Sequence, residues 1–177
     1  KIHKSITADI KYGLRYRENA SLISNQFVDL RIKYRENKRW SYAIGYRSIS
    51  DYSISSNIQQ KGRLYLDAYY SKKIKRYFID FRSRLLTQGD SYSSKEVFRQ
   101  KFKLSYNIRK TKLEPSLAIE LFYNFDNSFY KTRNSLELAH PINKKLDFSL
   151  VYKIEHEFNM TDPMTLFIFE PKISYRF

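Results

Sequence analysis

The sequence has no cysteine, which excludes disulfides, thiolate metal sites and a lipidated N-terminal cysteine. It has only 4 Gly, 4 Pro, 3 His and 1 Trp among 177 residues, a length that suits a single domain, 1–177. No apolar run reaches the ~18 residues that a transmembrane helix needs. Mean hydropathy is −0.63. A sliding window would therefore read the chain as soluble, but strands of alternating polarity hide an apolar face from any average. No signal peptide is visible, and Lys1 is not a start residue, so a removed segment is expected ahead of it. What the chain does have is 16 Tyr and 13 Phe, a composition that favours strands.

Period-2 alternation runs almost from end to end. Ile6, Ala8, Ile10, Tyr12, Leu14 and Tyr16 share one face, opposed by Asp9, Lys11 and Arg15. Val28, Leu30, Ile32 and Tyr34 oppose Asp29, Arg31 and Lys33, and Trp40, Tyr42, Ile44 and Tyr46 follow. Seven further segments repeat the pattern, and the last is "FEPKISYRF", ending on Phe177. The connections read as two kinds. Glu36–Arg39, Ser71–Arg76, Arg109–Lys112 and Pro141–Lys145 are expected to be tight turns; Asn19–Gln26, Ser50–Gln60, Thr87–Glu96 and Glu157–Pro163 are expected to be longer loops. Asp126–Ser128 is a short connection where a long one is due. The pattern predicts an all-β fold, a ten-stranded up-and-down antiparallel transmembrane β-barrel with both termini on the short-turn side.

A soluble lipocalin-like barrel would show the same alternation with the apolar face inside. Three features favour the membrane. Aromatic residues crowd the strand ends, as at Tyr34, Trp40, Tyr70, Tyr77 and Tyr106. The apolar face is built of large residues throughout, whereas a filled barrel needs small ones to fit its taper. The chain also ends on an aromatic inside a strand. Lipid is therefore expected to meet Ile10, Leu30, Ile32, Leu66, Phe102, Leu104, Ile119, Leu150 and Ile173.

Ile173, Tyr175 and Phe177 resemble the C-terminal signal that the barrel-assembly machinery reads in bacterial outer-membrane barrels. The full length resembles a Bacteroidota-type family of outer-membrane proteins with a domain of unknown function. "YRENKRWSYAIGYR", "SKKIKRYFIDFRSRL" and "HPINKKLDFSLVYKIEHEFN", tight basic turns followed by aromatic strands, carry that resemblance. It implies one barrel in the outer membrane of a Gram-negative bacterium and no known activity. By the rule that short turns face the periplasm, the termini and tight turns are expected there, with the longer loops outside.

The formal net charge of +15 raises nucleic acid as a partner. Strand recognition of single-stranded nucleic acid needs aromatic residues and cations on one face. Here they lie on opposite faces, as Arg31 and Lys33 do against Ile32 and Tyr34, so no nucleic acid is expected. The charged face is expected to line the lumen, through Asp29, Arg31, Lys33, Arg63, Asp67, Asp80, Arg82, Arg99, Lys101, Glu120, Glu137 and Lys153. Ten strands enclose little space. Long cations paired with carboxylates would plug it, and a narrow anion-preferring channel is the alternative.

For catalysis the one candidate is His156, beside Glu155, Glu157 and Asp162, which leaves a rim hydrolase as a second alternative. His3 lies in the N-terminal tail and His140 at a tight turn. No cofactor or metal is expected. The expected partners are outer-membrane lipids, the assembly machinery during insertion, and another outer-membrane protein. The expected role is a non-enzymatic accessory or structural subunit of a larger outer-membrane complex.

Overall fold

The computed structural model describes residues 5–17, 21–52, 58–89, 94–125, 128–159 and 162–177. His3 and residues 91–93 of the β5–β6 connection lie outside them. The ten strands are β1 (Ile6–Arg17), β2 (Leu22–Arg35), β3 (Trp40–Tyr52), β4 (Ile58–Ile74), β5 (Tyr77–Gly89), β6 (Ser94–Tyr106), β7 (Glu114–Asn124), β8 (Ser128–Pro141), β9 (Leu146–Glu157) and β10 (Thr165–Arg176). Each pairs antiparallel with its neighbours in sequence, and β1 pairs with β10 to close the barrel. No helix among the described residues is long and apolar enough to cross a membrane. The strands do the crossing.

Polarity is inverted relative to a soluble barrel. Leu30, Ile32, Leu66, Phe102, Leu104, Ile119, Leu150 and Ile173 point outward and are exposed, Ile119 at 55%. Ile10 is half-buried on the same outer face, paired across to Leu30 and Tyr175. Inside, Asp29, Asp67, Arg84, Arg99, Glu120, Lys153, Glu155 and Glu170 are buried. Such a distribution is stable only where the outside is not water. The outer surface is a transmembrane belt edged by aromatics. Trp40 meets Tyr70 at 5.1 Å, Tyr77 meets Tyr106 at 5.0 Å and Tyr175 meets Phe177 at 4.9 Å on the rim that holds both described chain ends. Tyr123 meets Phe129 at 5.4 Å toward the other.

The connections differ from the sequence expectation. Strands run into the segments expected to be loops: β2 begins at Leu22, β3 ends at Tyr52, β4 begins at Ile58, and β5 and β6 reach Gly89 and Ser94. These strand ends carry polar residues on both faces because they rise beyond the apolar belt. They keep their ladder hydrogen bonds all the same, as in Ser50↔Gln60 and Gln26↔Ser50. Conversely, the turn expected over Arg109–Lys112 is a longer connection, 107–113. The two rims therefore do not differ in the length of their connections, and loop length cannot orient the barrel. Two turns share one device. Asn37 Oδ1 accepts from the backbone N–H of Arg39 and Trp40, each at 2.8 Å, and Asn143 Oδ1 accepts from Lys145 and Leu146 at 2.8 and 2.9 Å.

A first prediction follows from the belt. Ile119→Arg places a charge on the outer face between Leu117 and Leu121 and is expected to destabilise the barrel in lipid vesicles by ~2–4 kcal/mol. Thr87→Arg, near a rim, is expected to cost about 1 kcal/mol or less. Urea unfolding in vesicles measures both. Equal, negligible effects would mean that water bathes this face.

Candidate functional site

The lumen is the part of the molecule where chemistry-bearing side chains converge. Alternation sends every second residue inward, and the closed ring brings together residues from strands that are not neighbours. Arg31 donates to Asp9 at 2.9 and 2.7 Å and to the Tyr69 hydroxyl at 3.1 Å. Tyr69 in turn donates to Asp67 at 2.5 Å. Arg84 holds Asp67 through two bonds of 2.6 and 2.7 Å and sits over the Tyr65 ring, 3.7 Å from its centroid. The Tyr65 hydroxyl reaches Asp29 at 2.6 Å, and Arg47 Nε donates to the same carboxylate at 2.6 Å. This chain of contacts joins β1 through β5 across the middle of the barrel.

A second network closes the other half. Arg82 from β5 and Arg133 from β8 both bind Glu120 of β7, at 2.6 and 3.1 Å. Arg133 also binds Glu155 at 2.6 Å, and Lys131 bridges Glu155 and Glu157 at 3.3 and 3.1 Å. Glu170 is shared by Arg15, at 2.6 Å, and Lys153, while Glu137 is shared by Lys103 and Lys172, each at 2.8 Å. A fully desolvated pair is worth little in itself, but a member left without its partner is costly. The networks therefore specify one arrangement of the interior.

Inward aromatic rings complete the plug, and the charged-face pattern does not reveal them. Phe122 is 0% exposed, and Arg99 and Arg133 lie over its ring at 4.4 and 4.7 Å. Phe27 carries Arg47 at 4.4 Å and Arg15 at 5.1 Å. Two rings have room because glycine faces them, in the cross-strand pairs Gly13↔Phe27 and Gly45↔Tyr65. A Cβ on Gly45 would stand 2.2 Å from Tyr65 Cζ. The signal for inward apolar residues was present as unbroken apolar runs, Phe27-Val28, Leu121-Phe122-Tyr123 and Leu150-Val151-Tyr152, where both faces are apolar.

Of the remaining lumen candidates, Lys33 lies over the Tyr69 ring at 4.6 Å and Asp80 accepts from Ser71 at 2.5 Å. Lys101 sits beside Glu120 in register without an ion pair, and Arg63 has none either among the described residues. His156 does not join a catalytic cluster. It is exposed on the outer face and bonds Thr165 Oγ1 at 2.8 Å, while Glu155 points inward to Arg133 and Glu157 to Lys131. Adjacent strand residues face opposite sides, and here the strand continues through Glu157. No group of carboxylates and histidines among the described residues could hold a metal.

Among the described residues, cavities open off the plug toward each rim. The cavity on the terminus side has a volume of about 400 Å³, and its charges balance: Asp9, Glu114, Glu137 and Asp147 against Lys11, Arg31, Lys172 and Arg176. The one toward the opposite rim has about 340 Å³, with Arg15, Arg63, Arg99, Lys131 and Arg133 against only Asp51 and Glu155.

Solved structures share this architecture. A bacterial polysaccharide outer-membrane secretin aligns with a TM-score of 0.56 at 12% identity, over 86% of this chain, which spans only 57% of that protein. The NanC porin aligns with a TM-score of 0.54 at 12% identity, over 95% of this chain and 98% of its own. The COG4313 outer membrane channel from Pseudomonas putida F1 gives 0.55 at 8% identity, over 98% and 95%. At these identities the likeness is one of fold. No curated protein matches the sequence. Residues 1–164 match the model of a family described as "Protein of unknown function (DUF2490)", and the chain belongs to that family.

Proposed function

We propose that the chain is a non-conducting barrel of the bacterial outer membrane, of the Bacteroidota type that its turn-and-strand modules resemble. In this reading it serves as an accessory subunit docked beside a larger outer-membrane assembly, with both termini periplasmic. The observation that carries the proposal is the plug: among the described residues, ion pairs and stacked rings cross the lumen. With the lumen occupied, the belt and the rims are the surfaces available for work. The belt itself supports a protein partner. Gln100 faces outward between Phe98 and Phe102, and Asn134 is exposed on the same face of β8. An amide facing hydrocarbon lacks a hydrogen-bond partner, and a neighbouring protein supplies one.

The expected result is twofold. The purified wild type should pass no steady current in planar bilayers. A photoreactive label on Gln100→Cys, the sole cysteine in such a variant, should capture one outer-membrane protein in fixed ratio before detergent extraction. A tag in residues 90–93 should be protease-accessible on intact cells if the termini are periplasmic. A steady anion-selective current, altered by Arg82→Ala or Lys101→Ala, would replace this reading with that of a narrow anion-preferring channel. The cation excess in the cavity opposite the termini favours that second reading.

A further inference from the structure

Among the described residues, four buried side-chain atoms lack a hydrogen-bond partner, and three of them line one cavity. They are Asn25 Oδ1, Arg63 Nε and Arg99 Nε, in the cavity that opens away from the chain ends. The neighbouring cations of that cavity are engaged: Arg15 with Glu170, Arg133 with Glu120 and Glu155, Lys131 with Glu155 and Glu157. Arg63 and Arg99 pair with no described carboxylate. Arg99 is only 5% exposed. Arg63 is half-buried, with its Nε buried and unbonded. Guanidinium groups desolvated without an ion pair are costly to keep, and water solvates them without neutralising them.

Their setting is prepared for a ligand. Arg99 is held over Phe122 with Cζ 4.4 Å from the ring centroid, and a stacked guanidinium keeps its N–H edges available. Arg63 comes from β4 and Arg99 from β6, so the two face the same space from alternate strands. Asn25 adds a neutral group, since an amide can present its NH₂ where its oxygen has no donor. Phe122, Arg133 and Glu155 belong both to the plug and to the cavity lining, so the plug forms part of its inner wall. Its volume of about 340 Å³ corresponds to ~10 waters at ~30 Å³ each, which suits a small solute or the head of a larger one.

We propose that this cavity binds a phosphate group, with Arg63 and Arg99 as its charged ligands and Asn25 as a neutral one. Two unpaired positive charges match a group that carries about −1.5 to −2 at pH 7, and guanidinium forks fit its oxygens. The site stands whether or not the barrel is an accessory subunit, because it rests on the interior alone. The phosphate is that of a soluble small molecule or of a lipid headgroup reaching in at the rim.

The test uses the full chain in neutral detergent. Inorganic phosphate, compared with chloride at equal ionic strength, is expected to raise the unfolding temperature in a saturable way. Phosphatidic acid doped into the same micelles distinguishes the source: a response to inorganic phosphate assigns a soluble ligand, and a response to the lipid alone assigns a headgroup. Arg63→Gln and Arg99→Gln are each expected to weaken binding by about tenfold or more. Both are also expected to be at least as heat-stable as the wild type without phosphate, since each removes a buried charge that forms no ion pair among the described residues. A residue with a merely structural role would show the opposite. Arg176→Gln, at the other rim, is expected to bind as the wild type does. No response to either form of phosphate beyond that to chloride, or an undiminished response in both variants, overturns the proposal.

Discussion

Glu120→Gln is expected to lower the stability of the folded barrel by about 3–5 kcal/mol, one of the two largest effects of a single substitution anticipated here. Glu120 is 3% exposed and receives Arg82 and Arg133 together. Arg133 keeps Glu155 as a second partner, but Arg82 has no other ion pair among the described residues. The amide keeps the shape of the side chain and removes its charge, which leaves a desolvated guanidinium facing a neutral group. Arg82→Met combined with Glu120→Gln is expected to recover more than half of the loss, because both charges then leave together. Asp147→Asn supplies the contrast. Its partner Arg176 is 3.1 Å away but half-exposed at the rim, and the expected change is within ~1 kcal/mol. Equilibrium unfolding in vesicles separates the cases. A cost below ~1 kcal/mol for Glu120→Gln would mean that water reaches the middle of the lumen and screens these charges.

Gly45→Ala is the second large effect, and it comes from a single methyl group. The new Cβ would stand 2.2 Å from Tyr65 Cζ and 2.3 Å from its hydroxyl oxygen, so the ring must move. Tyr65 is 2% exposed, bonds Asp29 at 2.6 Å and lies under Arg84 at 3.7 Å, so its displacement disturbs both contacts. Overpacking costs about 1–3 kcal/mol, and a disturbed bond to a buried carboxylate adds about 1–3 kcal/mol more. Gly62→Ala is the control. There the nearest atom is the Tyr46 hydroxyl at 2.7 Å, at the far end of an outward side chain that can swing away. The two alanines should differ by at least ~2 kcal/mol in vesicle unfolding. Equal effects would indicate that the ring of Tyr65 is free to relocate.

The fold was legible because a barrel wall is a local pattern. A residue's face depends only on the parity of its position, so Leu30 beside Arg31 and Phe102 beside Lys103 declare two environments without any knowledge of distant contacts. The interior was less legible. Which carboxylate Arg82 meets depends on curvature and stagger, which carry its side chain past β6 to β7. The sharing of Glu120 between β5 and β8 arises from the same geometry. Alternation names candidates for the lumen and is silent on their pairing, so it could not show that Arg63 and Arg99 are left over. The inward rings of Phe27 and Phe122 escaped notice because a charged face was read as charged throughout. Loop lengths were misread for a related reason. Ser, Asn and Gln mark turns in a soluble sheet, but in a strand that rises past a membrane they mark only the height at which lipid ends.

Closure of the ring through β1 and β10 bears on how such a protein can change over generations. Arg15 and Glu170 are 155 residues apart in the chain and 2.6 Å apart in space. Glu170 also serves Lys153, so the last strand neutralises charges borne by the first and the ninth. Adding or losing a hairpin would alter circumference and stagger at once and re-deal these partnerships around the circle. The described residues of the connections take part in none of these central pairs. Diversification among barrels of this design should therefore accumulate in the connections and on the lipid-facing residues, while strand number and the inward charges are inherited together as one indivisible trait.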